Sequence, residues 1–125
     1  MTGNAQDTRI RELPADLSRA GEARYFISWR AAVAGLGSGS LTDLATAAEA
    51  ALTDVYLSAG GGTLRIEAGG SGSEFRVVIE HPELSGESRR MRNLSDLLER
   101  FVDGYEISPN RTVLVKALPK GADKG

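Results

Sequence analysis

Apolar residues recur every three or four positions in three stretches of the chain, which is the spacing of an amphipathic helix. The first stretch spans residues 17–36, and Gly35 and Gly37 mark its end. We expect its apolar side to face the core and to carry much of the core's aromatic surface. That side consists of Tyr25, Phe26, Trp29, Val33 and Leu36.

The same spacing predicts two further helices. The second begins at Ser40 and Asp43, which are placed as in a capping box with Asp instead of Glu, and three glycines at 60–62 end it. Its apolar side is rich in alanine, so we expect its neighbours to approach closely. The apolar positions are Leu41, Ala45, Ala48, Leu52, Val55 and Ala59 in the second helix and Met91, Leu94, Leu97, Leu98, Phe101 and Val102 in the third.

Five shorter segments have the alternating pattern of strands or lie where a hairpin needs a strand. They are Thr8–Leu13, Thr63–Ala68, Glu74–Glu80, Tyr105–Ser108 and Arg111–Leu118. A loop of glycine and serine joins the second to the third, and a turn at Pro109 joins the fourth to the fifth, so each pair is predicted to form a hairpin. The first segment has only two apolar positions and is predicted to be an edge strand.

The order of these elements predicts an α/β fold. Strands joined by hairpins make a mostly antiparallel sheet, and three helices of this length cover only one of its faces, which gives a two-layer sandwich. We expect Arg65, Glu67, Arg76 and Lys116 to point to solvent from the uncovered face. The 125 residues suffice for a single domain, assigned to residues 8–118, with polar tails at 1–7 and 119–125 that we expect to fray.

The amino-acid composition excludes several kinds of catalytic and metal-binding site. The chain has no cysteine, which excludes disulfides, thiolate nucleophiles and cysteine-bound zinc, and its single histidine excludes a multi-histidine metal site. A formal net charge of −2 gives no reason to expect a nucleic-acid partner. The sequence has no apolar run of about 18 residues and no signal-peptide pattern at its start, so we expect a cytoplasmic protein without membrane contact.

Most of the chain resembles a known family. The segments LPADLSRAGEARYFISWRAAVAGL, LTDLATAAEAALTDVYLSA, LSDLLERFVDGYEIS and RTVLVKAL are similar to the histidine-kinase-like ATPase domain of anti-sigma-factor serine kinases, which are bacterial partner-switching regulators. The resemblance extends from Leu13 to Leu118. It implies the histidine-kinase-like ATPase fold, a role in transcription regulation during stress, ATP and magnesium as the family's ligands, a sigma factor or an anti-anti-sigma protein as partner, and a homodimer.

The family's first motif is Glu-x-x-x-Asn on the second helix, followed by His-Ala, in which the Glu is the base and the Asn holds magnesium. With Ser58 aligned to the His, Asp54 takes the Asn position and Ala50 the Glu position, and alanine cannot accept a proton. A second register aligns Glu49 with the Glu and Thr53 with the metal ligand, but it turns the later apolar positions by about 100°. The unbroken apolar spacing favours the first register. Asp54 is then the candidate nucleotide and magnesium ligand, and Glu49 is the base only if the chain is active.

The two other motifs are also altered. The family's Asp-x-Gly-x-Gly binds adenine after the central strand; here Glu80 stands near the Asp position, no glycine follows, and Pro82 removes a backbone donor. His81, beside them, is interpreted as a surface residue. The family's glycine-rich entry to the last helix is replaced by an arginine-rich loop, which could bind phosphate or an acidic partner. Its arginines are Arg89, Arg90 and Arg92.

The chain keeps the family's pattern of core residues, whereas all three motifs of the nucleotide site are altered. This combination predicts a regulator that acts by protein–protein binding, with a degenerate nucleotide site and no kinase activity. We expect its partner to contact the exposed side of the first helix and the arginine-rich loop. The alternative is an active ATP-dependent serine/threonine kinase that phosphorylates an anti-anti-sigma protein. It would use Glu49 as base, Asp54 or Thr53 at magnesium and Glu80 at adenine.

Overall fold

A computed structural model describes residues 8–59, 61–84 and 93–119. The strands are β1 (Arg9–Pro14), β2 (Thr63–Ser71), β3 (Glu74–Glu80), β4 (Gly104–Ser108) and β5 (Arg111–Ala117), and the helices are α1 (Ala20–Ala34), α2 (Ser38–Ala59) and α3 (Leu94–Phe101). A single 3-10 turn, Leu17–Arg19, leads into α1. The predicted order of elements is confirmed.

The five strands form one sheet in the order β1-β2-β3-β5-β4, and every neighbouring pair is antiparallel. Both predicted hairpins are confirmed, and β1 lies at an edge as expected. The pairing of β3 with β5 joins the two hairpins across α3 and matches Val77 with Leu114. It places the end of β3 beside the start of β5, where Glu80 faces Arg111.

The helices cover one face of the sheet. Alternate residues of the central strands are fully buried in this layer, among them Ile66, Phe75, Val77, Ile79 and Leu114. The intervening residues lie on the opposite face, where Arg76 and Glu80 are exposed and Val113 is buried. The structure therefore confirms an α/β fold with a five-stranded antiparallel sheet and three helices, which we predicted on one face of the sheet.

The connection between α1 and α2 depends on glycine. Gly35 has φ of 104°, and its amide and that of Leu36 donate to the carbonyls of Ala32 and Ala31, which ends α1 as predicted. The predicted start of α2 is wrong. The helix begins at Ser38 and not at a cap on Ser40, because the carbonyl of Gly37 already accepts from the amide of Leu41 at 2.8 Å.

The predicted orientation of α1 is correct only in part, since Phe26 and Leu36 are buried as predicted and the other three apolar residues are not. Its buried residues are Ala23, Phe26, Ile27, Arg30 and Ala31. Tyr25, Trp29 and Val33, which we expected in the core, are 71%, 50% and 53% exposed. Ala23, Ile27 and Ala31 lie along one side of α1, and the two alanines let this side pack close to its neighbours. The side that carries the larger residues Tyr25, Trp29 and Val33 is therefore turned outward.

Lys116 is a further correction, since it does not point to solvent from the uncovered face. Its side chain is only 12% exposed, and its Nζ atom donates to the Phe101 carbonyl at 2.9 Å and lies 3.7 Å from Oδ2 of Asp43 on α2. Thr112, Leu114 and Lys116 alternate with Val113 and Val115, so all three face the helices. The predicted outward placement of Arg65, Glu67 and Arg76 on the opposite face is correct: Arg76 is exposed, and the other two are partly exposed.

Candidate functional site

The C-terminal half of α2 lies at the end of the sheet where β3 ends and β5 begins. The ion pair between Asp43 and Lys116 fixes the start of α2 beside the end of β5. Tyr56, near the other end of the helix, lies beside Pro14 and Gly62 at the start of β2. Asp54, one turn from the end of α2, therefore lies in the helix layer at the same end of the sheet as Glu80 and Arg111.

Within the part of the chain that the structure describes, three polar residues are buried at this end, namely Asp54, His81 and Thr112. Asp54 is fully buried, and it is not the exposed helix carboxylate that is the commoner case for aspartate. His81 is buried rather than on the surface, with Nδ1 at 2.9 Å from the Pro82 carbonyl oxygen and Nε2 at 3.2 Å from Oγ1 of the buried Thr112. The His81 amide also donates to the Asn110 carbonyl at 3.0 Å, which ties the end of β3 to the β4–β5 turn.

Glu49 lies elsewhere on α2. Its side chain is 62% exposed, and its Oε1 atom is 3.9 Å from Nη1 of Arg24 on α1. Five residues separate Glu49 from Asp54, which is a rotation of about 140° around the helix. Thr53, the metal ligand of the second register, is partly buried. The structure therefore does not bring Glu49 and Asp54 together.

Glu80 lies on the uncovered face of the sheet. Its Oε1 atom is 3.4 Å from Nη1 of Arg65, which also binds Glu67 at 2.6 Å. These two carboxylates raise the pKa of Arg65, Glu67 most strongly. Because the helix layer holds Asp54 and the other face holds Glu80, the sheet lies between the two residues.

A shallow depression of about 400 Å³ lies next to Glu80 on this uncovered face. It is lined by Glu80, His81, Glu106, Ser108, Asn110 and Arg111. Glu106 accepts from Ser108 Oγ at 2.6 Å and from Arg111 Nη2 at 3.1 Å, and these bonds, that of Ser108 first, lower the pKa of the Glu106 carboxyl. Each carboxylate of the depression is therefore already paired with a guanidinium, Glu80 with Arg65 and Glu106 with Arg111.

A second depression, of about 360 Å³, lies between the end of α2 and the 3-10 turn, beside Tyr56, Asp16, Leu17 and Gly62. The Tyr56 hydroxyl is buried with no hydrogen-bond partner among the described residues, and its burial raises the pKa of Tyr56. Asp16 accepts from the Ser18 amide at 3.0 Å and caps the turn. The Asp16 carboxylate beside the depression is therefore engaged in the 3-10 turn.

The described residues do not bring the candidates for an ATP–magnesium site together. They contain no cluster of three or more histidine, aspartate or glutamate side chains that could hold a metal ion. The base, metal and adenine candidates lie apart, on the outer side of α2, in the helix layer and on the uncovered face of the sheet. The candidate phosphate or partner ligands Arg89, Arg90 and Arg92 lie outside the described residues.

The outer side of α1 is a more distinctive feature. Tyr25, Trp29 and Val33, which we name the outer α1 strip, are spaced by four residues, and each is at least half exposed. The guanidinium carbon of Arg30 lies 5.1 Å from the centre of the Trp29 ring, which orients the indole. The apolar spacing of α1 was visible in the sequence, but its exposure was not.

The comparisons with known proteins add no family. No protein-family model matches the chain, and the search of curated proteins gives no match. Within residues 8–59, 61–84 and 93–119, no helix has both the length and the apolar character needed to cross a bilayer.

Proposed function

We propose that the chain is an anti-sigma-factor-like regulatory protein that acts by binding other proteins and has no kinase activity. Its fold, under this proposal, is that of the histidine-kinase-like ATPases, and its partners are a sigma factor, an anti-anti-sigma protein or both. The resemblance carries the identity of the partners. The geometry bears on the choice between protein binding and catalysis.

The observation that carries the proposal is the outer α1 strip. The chain has one tryptophan, and it lies half exposed on a helix beside Tyr25 and Val33. Exposed aromatic residues that lie together are typical of protein interfaces, where tryptophan and tyrosine contribute most of the binding energy. A helix of a simple two-layer sandwich would otherwise have polar residues on its outer side.

The dispersed carboxylates support the absence of kinase activity. Phosphoryl transfer depends on a base and a metal ligand placed around the same phosphate. Glu49 is turned toward solvent and Arg24, whereas Asp54 is enclosed in the core. Glu80 is separated from Asp54 by the sheet. An active kinase would need these residues to converge.

Calorimetric titration with ATP and magnesium tests this proposal against the kinase alternative. We expect no binding in the micromolar range and no transfer of phosphate to a serine of an anti-anti-sigma protein. Micromolar binding followed by such transfer would establish the kinase. The homodimer that the resemblance implies is tested by light scattering, which should give twice the chain mass of 13.3 kDa.

A further inference from the structure

The depression beside Tyr56 lies where the end of β1, the 3-10 turn and the turn before β2 meet. The amide of Ala15 donates to the carbonyl of Gly62 at 2.7 Å, which fixes the end of β1 to the turn before β2. Oδ1 of Asp16 accepts from the Ser18 amide at 3.0 Å, which fixes the 3-10 turn. The volume of about 360 Å³ is at the lower end of the range for small-molecule sites. The size of the depression therefore suits a small ligand.

Tyr56 brings an unsatisfied polar group to this depression. The residue is only 7% exposed, and its hydroxyl is buried without a hydrogen-bond partner among the described residues. A buried hydroxyl without a partner destabilises the fold, and such groups are uncommon in proteins. Because Tyr56 lines the depression, a ligand bound there is placed to accept the hydrogen bond that the described residues do not accept.

The hydroxyl of Tyr56 lies beneath the surface of the depression, so a ligand reaches it when a side chain at the rim moves. Leu17 lies at the rim, is 56% exposed and belongs to a single 3-10 turn. Exposed side chains change rotamer within nanoseconds. Leu17 can therefore make room for a ligand without a change in the core.

The charged groups that act on the hydroxyl are balanced in number. Arg19, Glu22 and Asp16 lie close enough to Tyr56 that their charges act on its pKa. Glu22 is also bound by Arg11 at 2.7 Å, and Asp16 also acts on Arg19. Two guanidinium groups thus stand beside two carboxylates, with no excess of either sign that would select an ion. This balance favours a neutral ligand.

The polar groups of the depression define which hydrogen bonds the ligand makes. The Tyr56 hydroxyl, whose pKa is raised by burial, keeps its proton and needs an acceptor. Asp16 uses Oδ1 in the turn, and its Oδ2 accepts no hydrogen bond from the described residues, so this oxygen can take a donor. A primary carboxamide carries an acceptor and a donor on one small group, whereas a carboxylate lacks the donor and an ammonium group lacks the acceptor.

We propose that this depression binds a small neutral molecule that carries a primary carboxamide. The carboxamide oxygen accepts from the Tyr56 hydroxyl, its nitrogen donates to Oδ2 of Asp16, and its apolar body lies against Pro14 and Leu17. The inference goes beyond the proposed function and does not depend on it, because the outer α1 strip includes neither Tyr56 nor Asp16.

Three probes with the same aromatic ring test the proposal by NMR titration of the backbone amides. Benzamide should shift the amide signals of Gly61 and Gly62, which line the depression, with a Kd on the order of 1 mM, as expected of so small a ligand. Benzoate and N,N-dimethylbenzamide keep an acceptor but lack the donor. Each should bind about fivefold more weakly than benzamide or not at all.

Tyr56→Phe removes the hydroxyl and keeps the ring. It should weaken the binding of benzamide about fivefold. It should leave the thermal stability of the free chain equal or higher, because the hydroxyl has no partner to lose among the described residues. Tyr105→Phe is the matched control, since Tyr105 is 36% exposed on β4, at the opposite edge of the sheet from β1. It should leave the binding of benzamide unchanged.

Four results would overturn the inference. Equal binding of the three probes would indicate apolar adsorption, and no binding of benzamide would leave the depression without this ligand. Unchanged binding of benzamide by Tyr56→Phe would show that the hydroxyl is not used. A loss of stability in free Tyr56→Phe would show that the hydroxyl already has a partner within the fold, which removes the basis of the proposal.

Discussion

Glu22 is the residue on which β1, the 3-10 turn and α1 converge. Its carboxylate accepts from Nε of Arg19 and from Nη2 of Arg11, both at 2.7 Å. These hydrogen bonds, that of Arg19 first, lower the pKa of Glu22 from its ordinary value of 4.5. The folded chain therefore holds this carboxylate in its charged form to lower pH than the unfolded chain does.

A lowered pKa in the folded state makes stability depend on pH. At neutral pH the charged Glu22 stabilises the fold, and this contribution is lost as the pH falls below about 4.5, because the unfolded chain takes up the proton first. We expect Glu22→Gln to be less stable than the original chain at pH 7 and nearly equal to it well below the ordinary glutamate value. Urea denaturation at the two pH values measures this, with Glu99→Gln on the exposed side of α3 as control. The same deficit at both pH values would contradict the account.

His81 and Asp54 show how far the burial of a single residue can be predicted from the sequence. His81 continues the alternation of Phe75, Val77 and Ile79, so its burial could have been predicted by extending β3 one step beyond Glu80. The burial of Asp54 could not, because it depends on elements distant in sequence that enclose this part of α2. The surroundings of the candidate site residues could therefore be predicted only in part from the sequence.

At the scale of elements, the wrong side of α1 was predicted to face the core for three residues, because two sets of residues in α1 have helical spacing. Ala23, Ile27 and Ala31 form one row, and Tyr25, Trp29 and Val33 form the other. Side-chain size favoured the second row as the core. Close packing of α1 on its neighbours favours the first, and spacing alone does not distinguish them.

The burial of the two aromatic residues gives a direct contrast in stability. We expect Trp29→Ala to lower the free energy of unfolding by less than about 1 kcal/mol, since it removes one cation–π contact and partly exposed surface. Phe75→Ala, in a fully buried position on β3, should cost about 3–5 kcal/mol. Chemical denaturation of both variants checks this. If Trp29→Ala lowered the free energy of unfolding as much as Phe75→Ala does, Trp29 would have to be packed in the core, which would contradict the structure.

The turn between α2 and β2 is fixed by a glycine. Gly62 has φ of 95°, and a Cβ atom there would lie 2.6 Å from Cγ of Pro82. We expect Gly62→Ala to cost about 1–3 kcal/mol of stability, because it adds backbone strain and a collision. Gly37→Ala is the control, since a Cβ at Gly37 meets no atom within 4 Å and its φ is not positive. Equal thermal stability of the two variants would refute this reading of the turn.

At the scale of the molecule, local patterns predicted every strand pair joined by a hairpin. The pairing of β3 with β5 is not local, and it is what places His81 beside Thr112 and Glu80 beside Arg111. It also separates Glu80 from the helix layer that holds Asp54. The layer in which each candidate ligand lies follows from the sheet as a whole, so motif spacing alone did not determine it.

The most direct measurement is the affinity of the chain for a sigma factor and for an anti-anti-sigma protein of the same genome. It is made for the original chain, for Trp29→Ala and for Asp54→Asn, each with and without ATP and magnesium. Our account predicts binding of at least one of these proteins, a loss of about tenfold or more in Trp29→Ala, and no effect of Asp54→Asn or of ATP. Binding that depends on ATP and on Asp54, and that Trp29→Ala leaves unchanged, would contradict it.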